Sequence, residues 1–371
     1  MRINIVFGLI LGLSVLIGCS SDEGPAGGTD NFDRASMLAN WADNIIIPAY
    51  TDLDAKMKEM SSATDFFVAS PDQESLDALR TAWLNAYISW QKADLFEIGK
   101  AEQVTMRNYL NVFPLDVDGM TESLLSGAYD LESVNRQDEQ GFSAMDYLIH
   151  GLADTDAEII AFYTDPANGG NYKIYISDVS HRMEQFTDQI LLDWNNGYRD
   201  TFVSQDGTSG TSSVNTMVNN YLFYYEKFLR AGKIGIPAGV FSGSELSDRV
   251  EARFRGDVSK ELFLTALQAT QDFFNGVHYN GQGTGISLKD YLDELNTIKE
   301  TEDLSALINN QFNSARTSAA NLSDDLGVQV ENDNTRMLET YDELQKNVIL
   351  LKVDMFQALG IQVDFVDADG D

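Results

Sequence analysis

Hydrophobic residues recur along this chain in steps of three and four. Leu76, Leu79, Trp83, Ala86, Trp90 and Ala93 form one such stripe, and Ile176, Val179, Met183, Phe186 and Ile190 a second. Val214, Met217, Tyr221, Tyr224 and Phe228 form a third, and Leu338, Tyr341, Leu344, Val348, Leu351, Met355 and Leu359 run toward the C-terminus. A 3.6-residue period lines such positions along one helix face, which a neighbouring helix must then cover. Strict alternation, the mark of a half-buried strand, is nearly absent, and Ile361 to Val366 is the one short candidate. The pattern predicts an all-α protein built of antiparallel helical bundles.

Breaks in the pattern divide the chain. Ser70-Pro71-Asp72 reads as a helix start, and Gly99, Gly151 and Gly360 fall where stripes end. The segment SQDGTSGTSS, residues 204–213, is the sharpest change of composition, so one bundle is expected over 32–203 and another over 214–366. Residues 367–371 form an acidic tail. At the other end, Met1-Arg2 and the apolar run Ile5 to Ile17 read as a leader over residues 1–18. Leu16-Ile17-Gly18-Cys19 resembles a lipoprotein processing site, which would leave Cys19 lipidated. The small, polar residues 19–31 would then tether the domain to a membrane, the outer membrane of the cell envelope being the expected one.

Charge narrows the function. With 58 acidic against 25 basic residues the formal net charge is −33, which repels phosphate backbones, so no nucleic-acid partner is expected. One cysteine and three histidines exclude thiolate zinc sites, cysteine-ligated clusters and the H-E-x-x-H protease signature. Asp116-Val117-Asp118-Gly119 opens like a calcium loop but lacks its later ligands, and Asp367 to Asp371 runs off the chain end. Gly281-Gln282-Gly283-Thr284-Gly285 has no strand before it and no lysine at phosphate-loop spacing, so it reads as a loop before a helix near Ser287. His181 and Glu184 could share a helix face, but the Val179–Met183 stripe turns them outward.

The window Gly141 to Gly151 is different. Phe142, Met145 and Ile149 make an apolar edge, while Ser143 and Asp146, three apart, lie side by side. Taken alone, this is a surface helix with a polar flank.

Several windows, in order, resemble the imelysin family of bacterial envelope proteins. They are Trp41 to Tyr50, Ala82-Trp83 through Trp90 to Gly99, Phe113-Pro114, Lys233 to Gly239, and Leu351 to Asp354 with the acidic tail. The resemblance implies two helical bundles with a cleft between them. It also implies a G-x-H-x-x-E signature, which here falls on Gly141, Ser143 and Asp146. Serine in place of histidine removes the imidazole, and aspartate in place of glutamate keeps the charge on a shorter arm. His150, one turn beyond Asp146, offers a nitrogen in partial compensation. On this basis Gly141, Ser143, Asp146 and His150 are the expected ligand-binding residues, with Asp146 the metal ligand if iron or another metal ion binds. The family is associated with iron regulation, with iron or haem uptake and with metallopeptidase activity. The altered signature points away from catalysis, toward a lipid-anchored accessory of iron or haem uptake that meets outer-membrane uptake proteins. A metallopeptidase and a lipid-tethered interaction module are the alternatives.

Overall fold

The computed structural model describes residues 31–299 and 301–364. Cys19, the leader, the tether and the acidic tail lie outside them. The first long helix enters through Arg34–Asn40 and a π-helical stretch, Trp41–Ile46, before α1, Ile47–Ala69. Asp72 then caps α2, Gln73–Ala93. Its carboxylate accepts the Ser75 N–H at 2.9 Å while the Ser75 hydroxyl reaches back, so two orphan groups of the helix end are satisfied together. The short α3, Gly141–Asp146, precedes the long α4, Gly169–Asp193. After the loop at 205–212 come α5, Ser213–Phe223, then α6, Ser259–Phe274, α7, Leu304–Ala319, and α8, Leu326–Val348.

Helix α1 packs along both α2 and α4, while α7 packs on α8 and α6. Residues from Phe32 onward form one compact unit. Each predicted stripe faces this core. All six stripe positions of α2 and all five of α4 are buried. Trp41, Trp83, Trp90 and Trp194 lie wholly inside, where large aromatic rings contribute most of their transfer energy.

Two stripes depart from the simple period, for a geometric reason. From Tyr224 to Gly235 the chain winds as a π-helix, which takes more residues per turn, so Phe228 rotates to a half-buried position. In α8 the backbone at Asp333 leaves helical geometry, and Met337 rather than Leu338 enters the core. The candidate strand fails where it is described, because residues 361–364 are irregular. The strands observed are Ile298–Lys299 and Glu302–Asp303, paired antiparallel. Of the three glycine stops, Gly360 is a left-handed helix cap, Gly99 precedes a short helix at Lys100–Gln103, and Gly151 closes a π-turn. Asp116 caps Val117–Ser126 by accepting the Gly119 N–H at 3.0 Å, so its calcium-like spacing serves a helix start. Ser287 likewise caps Leu288–Glu294, as the glycine loop before it implied. Among the described residues no helix is long and apolar enough to cross a membrane.

Candidate functional site

All six residues of α3 are buried, including Ser143 and Asp146, which corrects the surface-helix expectation. The short helix is enclosed because its polar side chains are matched by main-chain groups from elsewhere. Gly141 starts it at φ +76°, and a Cβ there would lie 2.3 Å from the Leu110 carbonyl oxygen. Only glycine supplies both the left-handed conformation and the close approach. Tyr87 lies flat on Phe142 with ring centroids 4.1 Å apart, and the Trp83 indole N–H donates to the Phe142 carbonyl at 3.3 Å.

Ser143 does not turn to Asp146. Its hydroxyl donates to the Val112 carbonyl at 2.7 Å. Asp146 is instead gripped from the far side of the sequence. Its Oδ2 accepts the Phe254 N–H at 2.9 Å and its Oδ1 the Arg255 N–H at 3.0 Å. His150, in the π-turn Tyr147–Gly151, places Nδ1 3.0 Å from the same Oδ1. The edge of the His150 ring meets Trp83 at 5.1 Å between centroids. The space left between Ser143, Asp146 and the loop bearing Phe254 is about 20 Å³, room for a single water.

The loop that supplies those two N–H groups is itself fixed. Ala252 adopts φ +53°, a conformation costly for a residue with a Cβ and kept only where the surroundings dictate it. Next to it, the buried Glu251 carboxylate accepts from Gln91 Nε2 at 2.9 Å and Asn111 Nδ2 at 2.8 Å, and pairs with Lys233. Lys233 also donates to Gln91 Oε1 at 2.7 Å, and the Tyr87 hydroxyl to Asn111 Oδ1 at 2.6 Å. Burial, with the Glu251 charge nearby, pushes the Tyr87 phenol well above its ordinary range, so it remains a donor. Every member of this network is bonded, the condition under which buried charge is tolerated.

These partners were not singled out by sequence reasoning. Lys233 was visible as a charge beside apolar Ile234 and Leu229, yet nothing linked it to Glu251, Gln91 or Asn111. The Phe254 and Arg255 N–H groups carry no side-chain signature at all. His181 and Glu184 are half-buried against α1, not turned fully outward, and each meets a different partner there. Glu184 accepts from Ser61, and His181 lies 3.4 Å from Asp65.

A metal fits this geometry poorly. His150 Nδ1 lies against Asp146 Oδ1, and Ser143 stands where the family signature has its histidine. Among the described residues no three His, Cys, Asp or Glu side chains converge as ligands.

A helical protein with a glycine-started helix buried and tied to a distant loop is the class these observations define. The imelysin (peptidase M75) family model matches residues 46–351, and the chain belongs to that family. It is similar to iron-regulated protein A of Synechococcus elongatus, 24% identical over 112 residues, which is 30% of each chain. Among solved structures, one described as an iron-regulated protein A precursor from Parabacteroides distasonis superposes with a TM-score of 0.68 at 19% identity. That match covers 89% of this chain and 97% of the other. An imelysin-like protein from Psychrobacter arcticum gives 0.67 at 18% identity, over 90% and 97%. At these identities the solved structures establish the shared fold.

Proposed function

We propose that this chain is a non-catalytic imelysin-family protein of the cell envelope. It would be held to a membrane through Cys19 and serve iron or haem uptake by binding a ligand or partner in a cleft between two helical bundles. The observation that carries the non-catalytic part is the state of Asp146. Its oxygens accept from two main-chain N–H groups and face the His150 imidazole, so the one carboxylate of the signature is held in place by the fold. The imidazole that would partner it is replaced by Ser143, whose hydroxyl is spent on Val112. The iron connection rests on the names of the similar proteins and on family membership. The envelope location rests on the Leu16-Ile17-Gly18-Cys19 sequence.

Two assays test this reading on the full-length protein. Calorimetric titration with ferrous iron, ferric citrate and haem is expected to give saturable binding to at least one of them. Incubation with unfolded protein substrates is expected to give no chelator-sensitive cleavage. Cleavage that a chelator stops and that Asp146→Ala abolishes would overturn the non-catalytic assignment. Ser143→His with Asp146→Glu restores the family pattern, and transition-metal affinity gained only in that double variant would support a site given up in this chain.

A further inference from the structure

A second region of the molecule has the opposite construction. One face of α6 borders a cavity of about 710 Å³, within the range of small-molecule sites, with Ile45, Phe96, Leu264 and Phe273 among its apolar walls. We propose that this cavity binds a small amphipathic carboxylate, its apolar body on those four side chains and its anionic group between Lys92 and Arg316. The assignment rests on the ligand-binding reading above and names the class of ligand.

Charge is distributed unevenly along α6. At its C-terminal end Lys92 stands over the Tyr279 ring, 5.4 Å from the centroid, and forms no ion pair among the described residues. Arg316 donates to two neutral amides, Asn313 at 2.9 Å and Gln271, and likewise forms no ion pair there. Burial lowers the Arg316 pKa from its ordinary value, against the opposing pull of the Asp272 charge. The acidic group that lines this end is Asp272, one oxygen of which accepts from Gln268 Nε2 at 2.7 Å, and Asp52 lies outside the lining, accepting from the Tyr279 hydroxyl at 2.6 Å. Burial raises the Asp272 pKa, while Arg316 and Lys92 act to lower it. Of the side chains that line the cavity at this end, Lys92 and Arg316 stand against the single carboxylate of Asp272.

The other end is built differently. Lys260 is already paired with Asp324 at 2.7 Å, and Asp257 and Glu261 are exposed, so the balance is negative and solvent-screened. Glu261 and Asp272 are eleven positions apart on α6, about 16 Å at 1.5 Å per residue. That exceeds the screening length of about 8 Å at physiological salt, so the acidic end does not cancel the basic one. In a protein of net charge −33, a half-buried positive end beside an apolar wall selects for an anion with an apolar body.

The test uses three naphthalene probes of one shape: naphthalene-2-carboxylate, 2-naphthylmethanol and 2-naphthylmethylammonium, titrated calorimetrically into the full-length protein. The carboxylate is expected to bind at least about tenfold more tightly than the alcohol, with the ammonium weakest. Lys92→Gln and Arg316→Gln should each weaken the carboxylate by about tenfold and leave the alcohol unchanged. Leu264→Trp, which fills the cavity, should abolish all three, with the melting curve confirming that each variant is folded. Equal binding of the three probes, or preference for the ammonium, overturns the anionic class while leaving the cavity a ligand site. No binding of any probe at millimolar concentration, or binding untouched by Leu264→Trp, removes the cavity itself from the account.

Discussion

Asp146, buried, and Asp272, half-buried, are carboxylates in two regions built on opposite plans. Around Asp146 both carboxylate oxygens and the Ser143 hydroxyl are bonded, the residual space holds about one water, and the donors come from a loop fixed by its own buried network. Around Asp272 the cations meet neutral amides and an aromatic face, and the walls enclose about 710 Å³. Binding sites keep polar capacity in reserve for a ligand, whereas structural ties use it up on folding. By that criterion the segment carrying the family signature has become a tie, and the reserve lies along α6.

The contrast can be broken by substitution, because the closed region should respond in stability and the open one should not. Trp83 packs against His150 and donates to Phe142, so Trp83→Ala should cost about 3–5 kcal/mol in a urea unfolding experiment. Asp146→Ala removes the buried acceptor of two half-buried N–H groups and should cost about 2 kcal/mol, unfolding at visibly lower urea. Ser143→Ala removes one bond to Val112, and a loss of about 1 kcal/mol is expected. Lys92→Gln, on the open side, should move the midpoint by no more than about 0.5 kcal/mol. A reversed order, with Lys92 costly and Asp146 silent, would invert the assignment of tie and reserve.

Much of the architecture was legible because helical periodicity is local. The stripe from Leu76 to Ala93 needs only its own spacing to declare its buried face, and Asp72 needs only Ser75 to declare a cap. The stripe through Leu338 slipped where the non-helical backbone at Asp333 intervened, which spacing alone does not reveal. Gly141, Ser143, Asp146 and His150 were legible as a group, and the structure does bring Asp146 to His150. The use made of Asp146 was hidden, since its partners are main-chain N–H groups 108 and 109 positions away. The cavity was hidden for a related reason. Ile45, Lys92, Phe273 and Arg316 share no motif, and only tertiary packing makes them neighbours.

If the Asp146 carboxylate ties α3 to the loop at Phe254 and Arg255, amide hydrogen exchange of those two residues reads that tie directly. The account predicts strong protection of both amides in the native protein, and selective loss of that protection in Asp146→Ala while α1, α2 and α4 stay protected. Rapid exchange of Phe254 and Arg255 in the native protein, or protection unchanged in the variant, would contradict it and return Asp146 to the pool of groups free to bind a ligand.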